Sequence, residues 1–171
     1  MSTEPPPLRS ELLRQVFGTF ATGVTVVTAR DSAGAGHGLT ANSFTSVSLD
    51  PPLVLWCIGD RSDAFELFMT SPSYAVNILP AGDEARALRF AGKGDQQVAE
   101  AECMAAPSGA PVLGGTLAWL DCAVRERIVA GDHVILLAEV TACGLDESAG
   151  DGLTYFRSRF GRAAAPLPVA G

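Results

Sequence analysis

Apolar and polar positions in this chain follow a helical period in a few places and a strand period in many. Leu12, Leu13, Val16, Phe17 and Phe20 recur at helical spacing, which predicts a helix over 11–19 with Ser10 as its N-cap. Gly23 ends that region, and VTVVTA at 24–29 is β-branched enough to read as a strand. DSAGAG at 31–36 is a turn, and 39–48 returns as a second strand, so a hairpin is expected. Pro51 and Pro52 bar further pairing there, and LVLWCI at 53–58 reads as a buried strand. Ser62 then caps a short helix containing Phe65, Leu67, Phe68 and Met69. A strand over 74–79 and a helix over 83–90 follow. Residues 91–115 carry little period and many Gly, Ala and Pro, and read as a long functional loop with one helical turn. Two long strands, 117–129 and 133–143, meet at Ala130-Gly131-Asp132, and 153–160 is a final strand.

Some six strands with helices between hairpins predict a mainly β architecture, an antiparallel barrel with helical insertions. A doubly wound βαβ sheet would alternate strand and helix regularly. No GxGxxG follows a strand either, because Gly34-Ala35-Gly36-His37-Gly38 has the wrong spacing. A nicotinamide cofactor, if used, is not held in a Rossmann crevice.

The stretch 38–52, GLTANSFTSVSLDPP, stands out chemically. Seven of its fifteen residues are Ser, Thr, Asn or Asp, yet it runs directly into the apolar block 53–58. Such side chains beside a core strand are placed to hydrogen-bond a ligand at a partly buried surface, since an unpaired buried polar group costs roughly 1–3 kcal/mol. A Ser/Thr-rich strand and turn would have the same composition.

Bulk properties narrow the classes. A chain of 171 residues with 47% hydrophobic and 18% charged residues is one well-packed domain, expected over 11–162 with flexible termini at 1–10 and 163–171. A net charge of −7 argues against a nucleic-acid groove. Cys57, Cys103, Cys122 and Cys143 form no CxxC pair, and only His37 and His133 could join them, so no metal site is expected. Three of the cysteines sit in apolar contexts and read as buried thiols of a reducing compartment. The polar, Pro-rich start MSTEPPPLRS is no signal peptide, and no apolar run could span a bilayer. A cytoplasmic protein without membrane or nucleic-acid partners is expected.

Four segments carry a resemblance: FGTFATGVTVVTA at 17–29, GLTANSFTSVSLDPPLVLWC at 38–57, Gly131-Asp132-His133, and LTYFRSRFG at 153–161. Together they resemble the flavin reductase-like family, the small reductase components of two-component flavin-dependent monooxygenases, built on the FMN-binding split barrel. The match runs from about Leu12 to Gly161. TANSFTSVSLDPP is its most specific part.

The resemblance implies a homodimer with the active site near the subunit interface and a non-covalent flavin. By position, Thr40, Ala41, Asn42 and Ser43 resemble the segment beside the flavin ring and ribityl chain. Ser46 and Ser48, further along the same strand, are placed for ribityl or phosphate oxygens. Ser62 resembles a flavin contact at a helix start, where free N–H groups suit a phosphate, and Arg61 beside it would add charge-assisted bonds. Phe90 and Lys93 match the stretch that closes over the phosphate side. His133 resembles the histidine near the nicotinamide, read as a positioning hydrogen-bond donor rather than a general acid. Tyr155, Phe156 and Arg157 resemble the segment that meets the pyridine nucleotide. Each has a plain alternative: Ser62 as a cap, Arg61 and Lys93 as solvated charges, the aromatic residues as core. His37, in its glycine-rich turn, is assigned no role.

The implied activity is NAD(P)H:flavin oxidoreduction, with FMN or FAD reduced by NADH or NADPH and delivered by diffusion to a partner monooxygenase. A flavin-binding electron carrier and an FMN-dependent oxidase of the same fold are the alternatives.

Overall fold

β-branched and aliphatic runs become antiparallel strands here, and short helices fill the connections between them. The structure is a computed structural model describing residues 9–94, 96–146, 148 and 150–163. In chain order the elements are α1 (Ser10–Phe17), β1 (Thr22–Gly23), β2 (Thr25–Arg30), β3 (Gly36–Ala41), β4 (Thr45–Leu49) and β5 (Pro52–Gly59). Then come α2 (Phe65–Thr70), β6 (Ser73–Ile78), α3 (Glu84–Ala91), β7 (Gln97–Val98), a 3₁₀ turn (Glu100–Glu102), β8 (Cys103–Ala105) and β9 (Pro111–Leu113). The chain continues through β10 (Ala118–Ala130), β11 (His133–Leu145), β12 (Leu153–Phe156) and β13 (Arg159–Arg162).

An eight-stranded antiparallel sheet runs β4-β5-β11-β10-β6-β2-β3-β7, and a three-stranded sheet runs β1-β12-β13. Ser43, between β3 and β4, bonds both the N–H and the C=O of Cys57 on β5, so the sheet curls back on itself as an antiparallel split β-barrel. The interior holds Val27, Trp56, Phe68, Tyr74, Val76 and Leu136, all fully enclosed. Trp56 meets Phe68 edge-on at 4.9 Å and Tyr74 at 5.9 Å, the offset geometry that aromatic quadrupoles favour. Burial holds the Tyr74 hydroxyl protonated far above its usual range. Asn77 donates to Val26 O at 2.9 Å and Thr28 Oγ1 at 3.0 Å, and accepts Leu113 N–H at 2.8 Å, which ties the segment before β10 to the sheet.

The strand pattern holds, and its departures have physical causes. Arg9, not Ser10, precedes the first helix, and α1 buries none of its residues. The expected strand 39–48 is two strands, because Ser43 turns aside to clamp Cys57. Pro51 and Pro52 do not end the pairing. Asp50–Pro51 is a cis peptide at the tip of the β4–β5 hairpin, and Leu49 pairs with Pro52. Segment 91–115 contains three short strands rather than open loop. The expected last strand is a hairpin whose turn residues, Arg157 and Ser158, have φ of 47° and 61°. Of the cysteines only Cys122 is buried, with its thiol pushed up to about 12 by desolvation, while Cys143 is exposed. Residues 1–8 and 164–171 of the expected flexible termini lie outside the described residues.

Candidate active site

The C-terminal end of β5 collects most of the chemistry. His133 opens β11 directly opposite Gly59, and Asp60 N–H donates to Asp132 O at 3.0 Å. Ser62 N–H donates to Gly59 O at 3.1 Å, which folds Arg61 and Ser62 back over the strand end. The His133 side chain is 51% exposed, and its Nδ1 lies 2.8 Å from Asp132 Oδ1. That hydrogen bond, helped by the charges of His133 and Arg61, holds the Asp132 carboxyl below its usual range. An ionised carboxylate only accepts, so Nδ1 carries a proton, while Nε2 has no hydrogen-bond partner among the described residues.

Along 40–48 the polar side chains divide into engaged and open. Thr40 Oγ1 donates to Ala87 O at 2.7 Å, fastening β3 to α3. Ala41 is buried, and its carbonyl accepts Thr25 Oγ1 at 2.8 Å. Ser43 Oγ accepts Cys57 N–H at 2.9 Å and donates to Cys57 O at 3.1 Å. Ser48 Oγ accepts Asp50 N–H at 3.2 Å. By contrast Asn42 and Ser46 are exposed, and their side chains have no hydrogen-bond partner among the described residues. Ser46 lies in β4, the edge strand of the large sheet, and Asn42 opens the connection from β3 to β4.

The remaining candidates separate. Ser62 accepts Ala64 N–H at 3.3 Å from a turn three residues ahead of α2, so it does not cap the helix, and its own hydroxyl proton stays available. Lys93 is exposed, with no ion pair among the described residues. Phe90 is a correction: its ring is 1% exposed and packs on Gly38 inside the second core cluster, so it supports β3 from beneath rather than facing a ligand. Tyr155 pairs with Thr22 and packs against Phe160 at 5.4 Å. Phe156 is exposed with the Arg157 guanidinium 5.1 Å from its ring centre. These last three sit on the small sheet. Ser43, Arg61, Ser62 and His133 therefore share the β5 end, whereas Thr40, Phe90 and Lys93 gather at α3.

Two features escaped the sequence reading. Asp132 orients His133, and its adjacency was the available signal. A groove of about 630 Å³ lies between α2 and the β2–β3 turn, lined by His37 among others. No spacing announces it, because its walls come from four segments.

The open groups fit a flavin. Its pyrimidine edge and ribityl chain need donors and acceptors, which Asn42 and Ser46 offer, and its phosphate needs donors and positive charge, which Ser62, Arg61 and Lys93 offer. No cluster among the described residues could hold a metal ion. No helix among them is long and apolar enough to cross a membrane.

Comparison with known proteins agrees. A family model described as "flavin reductase like domain" matches residues 17–164. The NADH-dependent FAD reductase of Streptomyces globisporus is 42% identical over 157 residues, 89% of this chain and 85% of that protein. The stachydrine N-demethylase reductase subunit Stc3 of Rhizobium meliloti is 40% identical over 148 residues, 86% of this chain but 64% of its own length. Another Rhizobium meliloti relative, 42% identical, is spanned for only 47% of its length, so this chain covers about half to two-thirds of these two proteins. The solved structure of the Streptomyces globisporus NADH:FAD oxidoreductase SgcE6 in complex with NAD and FAD fragments superposes with a TM-score of 0.85 at 39% identity, covering 99% of this chain and all of that one.

Proposed function

This chain belongs to the flavin reductase-like domain family, and from that premise we propose that it is an NADH-dependent flavin reductase supplying reduced flavin to a separate monooxygenase. The observation that carries the reading is the presence of unengaged polar side chains, Asn42 in the β3–β4 connection and Ser46 in β4, together with an oriented histidine, His133, at the start of β11. Relatives with these names, among them the FMN reductase SmoA and the flavin reductase StyB, support it.

A bound flavin supplies the hydride-accepting chemistry, and the protein contributes binding and orientation. Asn42 and Ser46 hold the ring edge and ribityl chain. Ser62, Arg61 and Lys93 neutralise the phosphate end, a local task in a chain whose net charge is −7. His133 positions the nicotinamide. With Nδ1–H directed at Asp132, Nε2 is the ring atom that would hydrogen-bond the nicotinamide. Hydride transfer needs close approach of two rings and no protein acid, and a half-exposed His133 at the strand end suits alignment.

Residues 11–162 form the functional domain in this reading. Exposed apolar side chains, Leu49 at 93% and Phe20 at 77%, together with an α1 that buries nothing, support a homodimer that covers them. Four free thiols support a cytoplasmic setting.

Anaerobic stopped-flow mixing with NADH and excess FMN or FAD tests the proposal. Flavin absorbance lost faster than without protein is the expected result. No acceleration with either flavin, using NADH or NADPH, would leave the carrier or oxidase alternatives.

A further inference from the structure

A cleft of about 400 Å³ opens between the β8–β9 hairpin and the start of β10, and none of its lining residues takes part in the chemistry above. Its volume lies in the range of sites that enclose small ligands.

The walls are aromatic and apolar. Trp119 pairs with Gly144 on β11, and its indole lies on that glycine, where a Cβ would come within 2.3 Å of Nε1. The same ring packs against the buried cluster of Ala75, Ala106, Ala110 and Val112. It is held half-buried, and its N–H has no hydrogen-bond partner among the described residues. Met104, 55% exposed, adds an adaptable thioether wall.

Charge narrows the class of occupant. Two carboxylates line the cleft, and each is satisfied from within the fold. Arg89 binds Glu102 at 3.0 Å, and Asp146 accepts the Ser148 N–H at 2.9 Å and hydroxyl at 2.6 Å. What is left is apolar surface and one N–H donor. That combination suits an uncharged proline-rich segment, whose rings pack on aromatic faces and whose carbonyls find no donor in their own backbone.

Such a segment belongs to this chain. Positions 163–171 read AAAPLPVAG, without an ionisable side chain. Residues 164–171 lie outside the described residues, but their point of departure is fixed. Ala163 N–H donates to Gly152 O at 3.0 Å, and a Cβ at Gly152 would lie 3.5 Å from the Leu117 side chain. Leu117 O in turn accepts Asp146 N–H at 2.8 Å, and Asp146 and Thr116 both line the cleft. At about 3.1 Å per residue in a polyproline conformation, the stretch from Ala163 to Leu167 spans about 12 Å.

We propose that Pro166-Leu167-Pro168 folds back into this cleft, with a proline ring on the Trp119 indole, a tail carbonyl accepting its N–H, and Leu167 against Met104. The tail is then a strap that ties the β8–β9 hairpin to β10. Gly114 O, in the segment it covers, accepts from Arg86 of α3 at 2.8 Å, so the strap also steadies the helix that Thr40 grips. This holds independently of the reductase reading.

The test is acrylamide quenching of tryptophan emission in the full chain, comparing wild type with Leu167→Asp. The chain has two tryptophans, and a parallel pair carrying Trp119→Phe isolates the enclosed Trp56. Leu167→Asp is expected to shift the Trp119 emission to the red and raise its quenching constant several-fold. The Trp119→Phe pair should show no difference, which certifies an intact barrel. A synthetic AAPLPVAG peptide added to Leu167→Asp should restore the wild-type emission. Identical Trp119 quenching in wild type and Leu167→Asp overturns the strap, and so does a change that persists in the Trp119→Phe pair. Quenching that depends on protein concentration but not on Leu167→Asp would give the cleft to a second copy and overturn it as well.

Discussion

Ser43 clamps Cys57 through both of its peptide groups, accepting the N–H at 2.9 Å and donating to the carbonyl at 3.1 Å. The contact joins the β3–β4 break to β5 and closes the barrel beside the candidate site. Ser43→Ala leaves two part-buried backbone groups unpaired, a loss of about 1–3 kcal/mol. The expected outcome is a melting temperature lowered by several degrees. Asn42→Ala, one residue away, is expected to keep the wild-type melting temperature and weaken flavin binding several-fold. Thermal melts and flavin titrations on both variants separate the two roles, and an identical pattern in both would refute the division.

His133→Ala is expected to raise KM for NADH while flavin affinity stays near the wild-type value. Asp132→Asn should act in the same direction more weakly, because an amide oxygen still accepts from Nδ1–H but without the strength of a charged acceptor. Steady-state kinetics with NADH and flavin varied in turn decide it. A selective rise in flavin KM for His133→Ala would place this side chain on the flavin.

Gly38 has no room for a side chain. A Cβ there would lie 2.7 Å from the Phe90 ring and 3.1 Å from Val26. Gly38→Ala is expected to cost about 1–3 kcal/mol through overpacking, because both neighbours are core residues that cannot swing aside. The midpoint of a denaturant melt measures it. Phe90→Leu introduced with Gly38→Ala should recover part of the loss.

Acid sensitivity follows from the carboxylates. Hydrogen bonds from His37, Arg30, Arg89 and His133 hold Asp31, Glu100, Glu102 and Asp132, respectively, below their usual ranges. Each binds its proton less readily when folded, so its contribution is complete above the unfolded value and fades as pH falls through the folded one. Melting temperatures should therefore be flat from neutral pH to about 5 and decline below about 4. Circular dichroism melts across that range check the sign; a rise in stability on acidification would contradict it.

Much of the fold is legible in the chain because strands announce themselves locally. VTVVTA and LVLWCI sit within β2 and β5 nearly to the residue, and Ala130-Gly131-Asp132 marks the β10–β11 hairpin. The errors fall where a distant partner overrides local preference. Ser43 leaves its strand to bind Cys57, fourteen residues on, and Pro52 pairs because it stands at a hairpin end on an outer strand pair. Ser10 and Ser62 carry cap-forming side chains, yet neither ends as a cap, since helix starts shift by a residue or more with tertiary packing.

The sequence by itself determined the antiparallel class and the candidate polar stretch at 38–52, both of which depend on neighbours in the chain. Only the tertiary structure decided which of those polar groups remain open. Thr40 and Ser43 are engaged by α3 and β5, Asn42 and Ser46 are not, and Phe90 lies beneath Gly38. The groove of His37 likewise exists only once the β2–β3 turn meets α2. Hydrogen bonding capacity is written in residue type, but whether it is satisfied within the fold or left for a ligand depends on contacts between segments dozens of residues apart.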